Sequence, residues 1–412
     1  MTAAGTCSSG SCVTPAAQTC AGNLVCSANA CKSNCGRDSD CESGYFCQSG
    51  KCHLGAKAIA AGSNHTCALR SDGKVFCWGD IVTAKAPELV QLSKAAVAVS
   101  SGGGSSCALL SDATVVCWGV NYAGQLGNGT FASSPTPVPV QGLPAPAAAT
   151  AIAVGTQNAC AISGGAVYCW GDNSSGQLGD GMVSTTGVPM AVRVSGLVSA
   201  TKVAVGYFAA CAVAGGKVYC WGNPAFGDLG NGTDTGDFSV PQLVTVTGTP
   251  SIAAIAAGYY AACLVETGGA VYCWGDNASG TLGRGGNNQT LPQSAVPGKV
   301  SGNGLATGVS IGGDVPAQAC ALDGDGAVQC WGNNLWGELG NGVSADDHSA
   351  DSFVPVSVVG LPAAAIAISA GTGHTCAVVN SGAVWCWGLN GYGQLGDGTT
   401  NQSSIPVQVL SW

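Results

Sequence analysis

Cysteine is the residue type whose spacing points most directly to chemistry in this sequence of 412 residues, which contains 23 of them. Cysteines that recur at fixed spacing form disulfides or bind a metal. Fourteen of them form seven pairs whose two cysteines lie nine or ten positions apart, and Trp-Gly follows the second cysteine each time. The pairs are Cys67 with Cys77, Cys107 with Cys117, Cys160 with Cys169, Cys211 with Cys220, Cys263 with Cys273, Cys320 with Cys330, and Cys376 with Cys386.

Each pair flanks a predicted β-hairpin, seen most clearly between Cys160 and Cys169. Gly164 and Gly165 lie midway between two apolar runs, and a Gly-Gly dipeptide favours a two-residue turn. Counting outward from this turn places Cys160 opposite Cys169 as a non-hydrogen-bonded pair, with Cα atoms roughly 4.5 Å apart. That separation fits a disulfide, and a ten-residue interval keeps the register through a three-residue turn. We therefore predict seven cross-strand bridges; buried free thiols are the alternative.

The first 53 residues contain the other nine cysteines. A segment of this length cannot bury a core of its own, so we predict a disulfide-rich module over residues 1–53. Residues 38–52 resemble the small cysteine-rich modules of extracellular proteins. A zinc site is the alternative, but the segment has no Cys-x-x-Cys and only His53 nearby. The number of these cysteines is odd, so at least one of them lacks a partner within the segment. The nine are Cys7, Cys12, Cys20, Cys26, Cys31, Cys35, Cys41, Cys47 and Cys52.

Composition excludes several classes of function. The net charge is −9, and such a chain offers no basic surface to nucleic acid or to an anionic membrane. No apolar run is long enough to span a bilayer, so we expect no membrane insertion. The cysteine pairs indicate an oxidising compartment, outside the cell or at its surface, although residues 1–7 do not read as a signal peptide. We therefore expect an export segment upstream of this start.

The repeats predict the fold. The second cysteines of successive pairs are 40 to 57 residues apart, and each repeat reads as four strands, A to D. In the third repeat the predicted strands cover 151–154, 159–162, 166–171 and 188–194. Seven such units without helices predict an all-β, seven-bladed β-propeller over residues 56–412, closed so that no sheet edge is exposed. Ring closure stays open: each repeat forms its own blade, or residues 57–61 pair with the last repeat.

Side-chain alternation predicts that the hairpins are buried on both faces. Cys67 and Cys77 point to one side of the first hairpin and Trp78 to the other, as expected where a blade packs between two neighbours. The cysteines and the tryptophans that follow them are thus predicted to be core. The tryptophans are Trp78, Trp118, Trp170, Trp221, Trp274, Trp331 and Trp387.

A second motif follows strand C in every repeat except the first, as in the Asn-Tyr-Ala-Gly-Gln-Leu-Gly of residues 121–127. Together with His-Thr-Cys-Ala-Leu and Val-x-Cys-Trp-Gly, it resembles the regulator of chromosome condensation repeat over about residues 56–412. This resemblance implies a seven-bladed propeller, and the family's founding activity is nucleotide exchange on a small GTPase. The family histidine is present only at His65 and His374, for which we expect structural hydrogen bonds.

Alternating strand direction places the A–B and C–D connections on one face of the ring and the tight B–C turns on the other. The first face is where the sequence varies and where aromatic residues occur. Aromatic side chains on rigid loops are frequent anchors of protein interfaces, so we predict a partner-binding face; the alternative is that the rings only cap the blades. Its residues are Tyr122, Tyr207, Phe208, Phe226, Tyr259, Tyr260, Trp336 and Tyr392.

The sequence contains no recognisable catalytic constellation, so we predict neither an enzyme nor a cofactor. The acidic segment 342–351 lacks the ligand spacing of a calcium loop and is expected to be a solvated turn rather than a metal site. The leading hypothesis is a secreted or cell-surface scaffold that binds a protein partner. The alternatives are a guanine nucleotide exchange factor and a glycan-binding propeller, and the oligomeric state is left open.

Overall fold

The structure is a computed structural model. It describes residues 23, 26–27, 30–31, 34–41, 44–146, 148–236, 238–246, 251–286, 290–302, 304–312, 317–345 and 347–412. Cys7, Cys12 and Cys20 of the amino-terminal segment and Asp346 of the acidic segment lie outside the described residues. None of the helices in this described part is long and apolar enough to span a membrane.

The amino-terminal segment packs against the last blade of the propeller. Disulfides join Cys35 to Cys47 and Cys41 to Cys52. Phe46 is buried against the last blade, where Val379 and Ala383 belong to the same apolar cluster. The elements of this segment are β1 (Cys26–Ser27) paired with β2 (Ala30–Cys31), a 3₁₀ helix (Asp38–Asp40), and β3 (Tyr45–Gln48) paired with β4 (Lys51–Leu54).

Seven antiparallel four-stranded sheets, blades 1 to 7 in chain order, form the propeller. Within every blade the strands pair in chain order, A to D, so each blade is one continuous segment and the first and last blades exchange no strand. The predicted seven-bladed all-β fold is confirmed. The bounds are β5 (Ala56–Ala61), β6 (His65–Arg70), β7 (Val75–Gly79) and β8 (Ala84–Val90) in blade 1; β9 (Ala96–Ser101), β10 (Ser105–Leu110), β11 (Val115–Gly119) and β12 (Ser134–Pro139) in blade 2; and β13 (Ala149–Val154), β14 (Asn158–Ser163), β15 (Ala166–Asn173) and β16 (Ser184–Arg193) in blade 3.

The other four blades repeat this pattern, and blade 4 adds a short 3₁₀ helix (Ala225–Gly227) after its strand C. The strands are β17 (Ala200–Val205), β18 (Ala209–Ala214), β19 (Lys217–Gly222) and β20 (Phe238–Leu243) in blade 4; β21 (Ile252–Ala257), β22 (Ala261–Glu266), β23 (Val271–Asp276) and β24 (Gln293–Lys299) in blade 5; β25 (Ala306–Ile311), β26 (Gln318–Asp323), β27 (Val328–Gly332) and β28 (Ser352–Ser357) in blade 6; and β29 (Ala365–Ala370), β30 (His374–Val379), β31 (Val384–Gly388) and β32 (Ser403–Gln408) in blade 7.

Strands B and C form the predicted hairpin in every blade. Cys160 pairs directly with Cys169, and Gly164 and Gly165, with φ of 58° and 77°, form the two-residue turn. All seven predicted pairs are disulfide-bonded, with Cα atoms 4.0 to 4.1 Å apart. This distance is close to the roughly 4.5 Å of a non-hydrogen-bonded pair, the closer of the two antiparallel pair types.

The disulfides and the tryptophans form the contacts between blades. Cys67 and Cys77 pack in one cluster with Trp118 of blade 2, while Trp78, on the opposite face of blade 1, packs with Cys376 of blade 7. The seven tryptophans that follow the paired cysteines are at most 1% exposed. Both sets of residues are therefore core, as the alternation predicts.

The connections segregate to two faces as predicted. The A–B and C–D connections meet on one face, here called the loop face, where the N–H of Asp80 donates to the carbonyl of Asn64. The B–C and D–A connections meet on the opposite face, here called the hairpin face, where the N–H of Ala96 donates to the carbonyl of Gly73. The loop face thus carries the varied segments and the hairpin face the tight turns.

A glycine follows strand A in every blade, and these glycines form the innermost ring. A Cβ atom on Gly102 would lie 1.8 Å from the carbonyl oxygen of Gly155, so only glycine permits this approach. The N–H of Thr372 donates to the carbonyl of Gly62 at 3.2 Å, which closes the ring between blades 7 and 1. The central cavity that the described residues line measures about 50 Å³, far below the size of a ligand pocket. A ligand must therefore bind on a face of the ring.

Candidate functional site

The C–D loops are held rigidly by their own motif. The side-chain Oδ1 of Asn121 accepts the N–H of Leu126 at 2.8 Å, and its Nδ2 donates to the carbonyls of Thr130 and Ala132. The carbonyl of Gln125 in turn accepts the indole N–H of Trp170 from the next blade at 2.8 Å. The loops are thus fixed to two blades at once, which gives any side chain at their tips a defined position.

Blade 1 lacks this loop, and the consequence is visible in blade 2. The indole nitrogen of Trp118 is buried and has no hydrogen-bond partner among the described residues, whereas Trp78, Trp170 and the other equivalents donate to a loop carbonyl. The missing acceptor is the carbonyl that a motif loop in blade 1 would provide.

The aromatic residues predicted for the loop face occupy equivalent positions in several blades. Tyr207 and Tyr259 each follow the inner glycine of their A–B connection, and Phe208 and Tyr260 come next. Phe226, Trp336 and Tyr392 each precede the first glycine of the C–D motif. Because the C–D loop of one blade contacts the A–B connection of the next, aromatic residues in successive blades can meet.

Blades 4 and 5 bring five of these rings together in what we call the aromatic patch. Tyr207 stacks on Tyr259 with ring centroids 4.7 Å apart and an interplanar angle of 7°. Phe208 stacks on Tyr260 at 5.4 Å, and Phe226 contacts Tyr260 at 4.7 Å. Four of these aromatic side chains are half-buried and Phe226 is 41% exposed. The patch therefore offers a continuous aromatic surface beside the central axis of the propeller.

The other three predicted residues lie apart from the patch. Tyr122 of blade 2 is 81% exposed, and Tyr392 of blade 7 is 55% exposed. Trp336 of blade 6 lies over the A–B connection of blade 7, where a Cβ on Gly373 would come within 2.5 Å of its ring. The structure therefore groups Tyr207, Phe208, Phe226, Tyr259 and Tyr260 and separates Tyr122, Trp336 and Tyr392.

A buried carboxyl group lies next to the aromatic patch. Asp228 is 3% exposed, and among the described residues neither carboxylate oxygen has a hydrogen-bond partner beyond its own backbone N–H. Burial raises its pKa well above the usual range. The pKa of Tyr260 is also raised, first by burial and then by the charge of Asp228.

Asp276 is a second acidic residue at the patch. Its N–H donates to the carbonyl of Tyr260 at 2.8 Å, and burial raises the pKa of its carboxyl group. After burial, the charges of Asp228 and Asp276 both contribute to the raised pKa of the Tyr260 hydroxyl.

The described A–B and C–D connections carry acidic charge almost exclusively. Arg284 is the single arginine or lysine in these described segments, and its guanidinium donates to the carbonyls of Cys273 and Val296. The connections of the hairpin face carry a more balanced charge, with three acidic residues, Asp72, Asp112 and Asp325, and two basic residues, Lys74 and Lys94. The acidic residues of the loop-face connections are Asp80, Asp180, Asp228, Asp234, Glu338, Asp347, Asp351 and Asp397.

Sequence reasoning missed Asp228 and Glu338. Both occupy the glutamine position of the Gly-Gln-Leu-Gly motif, and this departure from the motif was the available signal. Glu338 is fully buried beneath Trp336, accepts the backbone N–H of Trp336 at 2.8 Å, and has a pKa that burial raises to about 7. Asp228 is one methylene shorter than glutamine, and its oxygens accept no such N–H.

The cysteines of the amino-terminal segment include one geometric candidate for a metal. The sulfur atoms of Cys35, Cys41 and Cys52 lie within 4.8 Å of one another. All three are already bonded in the bridges Cys35–Cys47 and Cys41–Cys52, so no thiolate is free to bind an ion there.

The acidic segment of blade 6 forms internal contacts. His348 Nδ1 lies 3.1 Å from Asp351 Oδ2, and Asp351 Oδ1 accepts the N–H of Asn334. Asp347 accepts the N–H of Ser349. These described carboxylates therefore bind neighbouring groups of the same loop.

Comparison with known proteins identifies the family of this fold. The sequence-family model of the RCC1-like domain matches residues 80–411, and the family model of the regulator of chromosome condensation (RCC1) repeat matches residues 56–80. The chain is 34% identical over 263 residues to the human E3 ubiquitin-protein ligase HERC2, a match over 62% of this chain and 5% of HERC2. It is 32% identical over 267 residues to the Arabidopsis thaliana ultraviolet-B receptor UVR8, over 63% of this chain and 58% of UVR8.

Solved structures show the same architecture. Yeast RCC1, Prp20, solved with Kap60 bound, superposes with a TM-score of 0.69 at 19% identity, over 82% of this chain and 84% of that one. A second structure is that of Prp20p from Saccharomyces cerevisiae, a protein whose binding to Gsp1p and histones was studied together with its structure. It superposes with a TM-score of 0.69 at 19% identity, over 83% of this chain and 87% of that one. At such identities these structures show a common fold.

Proposed function

The chain belongs to the RCC1-like domain family, and on that premise we propose that it is a protein-binding scaffold whose partner docks on the loop face. The observation that carries the proposal is the aromatic patch of blades 4 and 5. Tyrosine and phenylalanine bury large areas at little cost in conformational entropy and are enriched where interfaces draw their affinity. Rings that are partly exposed yet fixed by their neighbours fit this role.

The rigidity of the support strengthens the proposal. Tyr207 and Tyr259 follow inner glycines that are bonded from blade to blade, and the N–H of Tyr207 donates to the carbonyl of Gly258. A surface that is already ordered before binding loses little entropy when a partner docks. Prp20 was solved with Kap60 bound, an example of a propeller of this fold in a complex with another protein. The ligase activity in the name of HERC2 belongs to a protein of which this chain spans 5%.

We place this scaffold outside the cell or at its surface. The support is nine disulfides among the described residues, since disulfides persist in oxidising compartments. The check is alkylation of the protein as isolated from its native source, without reductant. Protection of the seven propeller pairs supports the assignment. Full alkylation of these cysteines would contradict it.

The docking face is tested by capture of partners from native surroundings with chemical crosslinking. The wild type is compared with the variant Phe208→Ala/Phe226→Ala/Tyr260→Ala, which removes three of the five rings of the aromatic patch. The control is Tyr122→Ala, which removes an exposed ring of the same face outside the patch. We expect the triple variant alone to lose the partner. Identical sets of partners for all three proteins would refute the proposal. If the wild type captures a small GTPase and accelerates its nucleotide exchange, and the triple variant loses this activity, the exchange-factor alternative is supported instead.

A further inference from the structure

The charge of the loop face restricts the chemistry of its partner. Its connections carry eight described acidic residues. Arg284 is the single arginine or lysine in these described connections, and its guanidinium donates hydrogen bonds to backbone carbonyls. Lys85, at the start of β8, belongs to blade 1, on the side of the ring away from blades 4 and 5. Asp80, Asp234 and Asp347 are exposed, so these loops repel a partner with a negative surface and attract a basic one.

The aromatic patch concentrates this preference. The face of an aromatic ring attracts a cation, and the attraction is stronger where water is excluded. Here the ring of Tyr260 stacks on Phe208 and contacts Phe226, and the backbone carbonyl of Tyr260 accepts the N–H of Asp276. Asp228, two residues after Phe226, adds a second observation: it is a nearly fully buried carboxyl group that lacks a hydrogen-bond partner among the described side chains.

Asp228 also stands where the fold prefers another residue. At the equivalent position, Gln125, Gln177 and Gln394 each accept the backbone N–H of the residue two positions earlier. Asp228 gives up that hydrogen bond, and Phe226 two residues earlier has a φ of 62°, a left-handed conformation that is unfavourable for phenylalanine. Blade 4 thus departs from its own repeat at the residues that build the patch, as expected of a functional site.

We infer that the patch receives an arginine or lysine side chain from a basic segment of the protein partner, with Asp276 and Asp228 providing the opposite charge. This inference rests on the proposed function and specifies the chemistry of the partner. A guanidinium or ammonium group would lie over the exposed ring of Phe226, beside Tyr260, and would give Asp228 the partner that it lacks among the described residues.

The test uses three labelled synthetic peptides with the same Gly-Ser spacers, carrying arginine, lysine or citrulline. Citrulline keeps the planar shape of arginine without its charge. We expect the arginine and lysine peptides to bind the wild type, and Tyr260→Leu and Asp276→Asn each to weaken this binding by about tenfold or more. The control Asp325→Asn removes the same charge on the hairpin face, also in a position that accepts a neighbouring N–H, and should leave binding unchanged.

A second variant keeps the test independent of folding defects. Asp228→Gln restores the motif residue, so we expect a protein that is more stable than the wild type but binds the arginine peptide more weakly. Equal binding of the citrulline peptide, an equal loss with Asp325→Asn, or no binding of either basic peptide would overturn the inference. If crosslinking still captures a partner through the patch while the basic peptides fail, the docking face stands and only the basic partner chemistry is wrong.

Discussion

His374 Nε2 in blade 7 lies 2.9 Å from Thr66 Oγ1 in blade 1, across the junction where the ring closes. The hydroxyl of Thr66 also donates to the carbonyl of Gln394 at 3.0 Å. Its one hydrogen is thus used, so the hydroxyl accepts from His374, which must carry its proton on Nε2. A neutral imidazole with a defined tautomer therefore joins the last blade to the first.

Acid should begin to destabilise this junction at a pH above the range in which ordinary carboxylates titrate. Burial lowers the pKa of His374 to about 4 and, with help from the charge of His374, that of His65 to about 3. Below the unfolded pKa of roughly 6.5, the unfolded chain binds protons that the folded chain does not. Stability is therefore full above that pH and falls as the pH drops toward 4, by on the order of 3 kcal/mol for each histidine. Urea unfolding at a series of pH values measures the slope.

Glutamine is the matched replacement for these histidines. Gln318 occupies the equivalent position in blade 6, where its Nε2 donates to the carbonyls of Gly371 and His374. The variant His65→Gln/His374→Gln should therefore fold and lose far less stability on acidification than the wild type. Carboxylate protonation is common to both proteins and cancels in the difference. Parallel pH profiles would show that the histidines do not control acid stability.

Glu338 should act in the opposite direction. Burial raises its pKa to about 7, so the folded chain holds this proton more tightly than the unfolded chain. Its contribution to stability is present below the usual glutamate pKa and is lost as the pH rises through about 7. We expect Glu338→Gln to match the wild type in mild acid and to exceed its free energy of unfolding by on the order of 3 kcal/mol in mild alkali.

The structure supports this exchange at both ends of the side chain. A glutamine Oε1 can accept the N–H of Trp336, as in other blades, and its amide N–H can reach Asn333 Oδ1, which has no partner among the described residues, once that amide rotates. The reverse variant Gln394→Glu, in blade 7, should be destabilised in the same alkaline range. Equal pH profiles for Glu338→Gln and the wild type would contradict the assignment.

The sequence was sufficient to predict the hairpins because their register depends on local spacing. Two cysteines nine residues apart around Gly164 and Gly165 have one antiparallel register that brings them together, and seven recurrences leave a closed ring of blades as the natural arrangement. The fold class, the core role of the tryptophans and the loop face all follow from this periodicity.

The composition of the patch could not be predicted, because it depends on which blade meets which. The sequence placed Phe226 and Trp336 at equivalent positions, yet Phe226 contacts Tyr260 while Trp336 covers Gly373. Likewise, Asp228 differs from glutamine by a single methylene in length, yet it is buried without a hydrogen-bond partner among the described residues. Contacts between consecutive blades, rather than patterns within one repeat, decide these features.

Removal of one hairpin bridge should weaken the whole ring without changing its fold. Cys263 and Cys273 are ten residues apart and pack with Trp331 of the next blade. Closing a loop of this length is worth about 2 to 3 kcal/mol through the unfolded chain. We expect Cys263→Ala/Cys273→Ala to lose at least this amount in urea unfolding, since it also leaves space beside Trp331.

The amino-terminal bridge provides the control for this loss. Cys41 and Cys52 close a loop of almost equal length, eleven residues apart, but they do not pack between blades. Cys41→Ala/Cys52→Ala should therefore cost the propeller less. If both variants unfold at the same urea concentration as the wild type, the bridges do not support the ring.

Trp412 should be the residue whose loss most selectively loosens the closing junction. Its indole N–H donates to the carbonyl of Leu54, and its ring stacks on Phe76 with centroids 5.6 Å apart. Truncation of a large aromatic side chain in such a contact costs about 3 kcal/mol or more. We expect Trp412→Ala to speed hydrogen exchange in blades 1 and 7 first, while blade 4 stays protected. Trp412→Phe, which keeps the stacking and removes the hydrogen bond, should have an intermediate effect, and Tyr122→Ala should have none. Uniform acceleration in all seven blades would instead mean that the ring unfolds as one cooperative unit, with no weaker point at the junction of its ends.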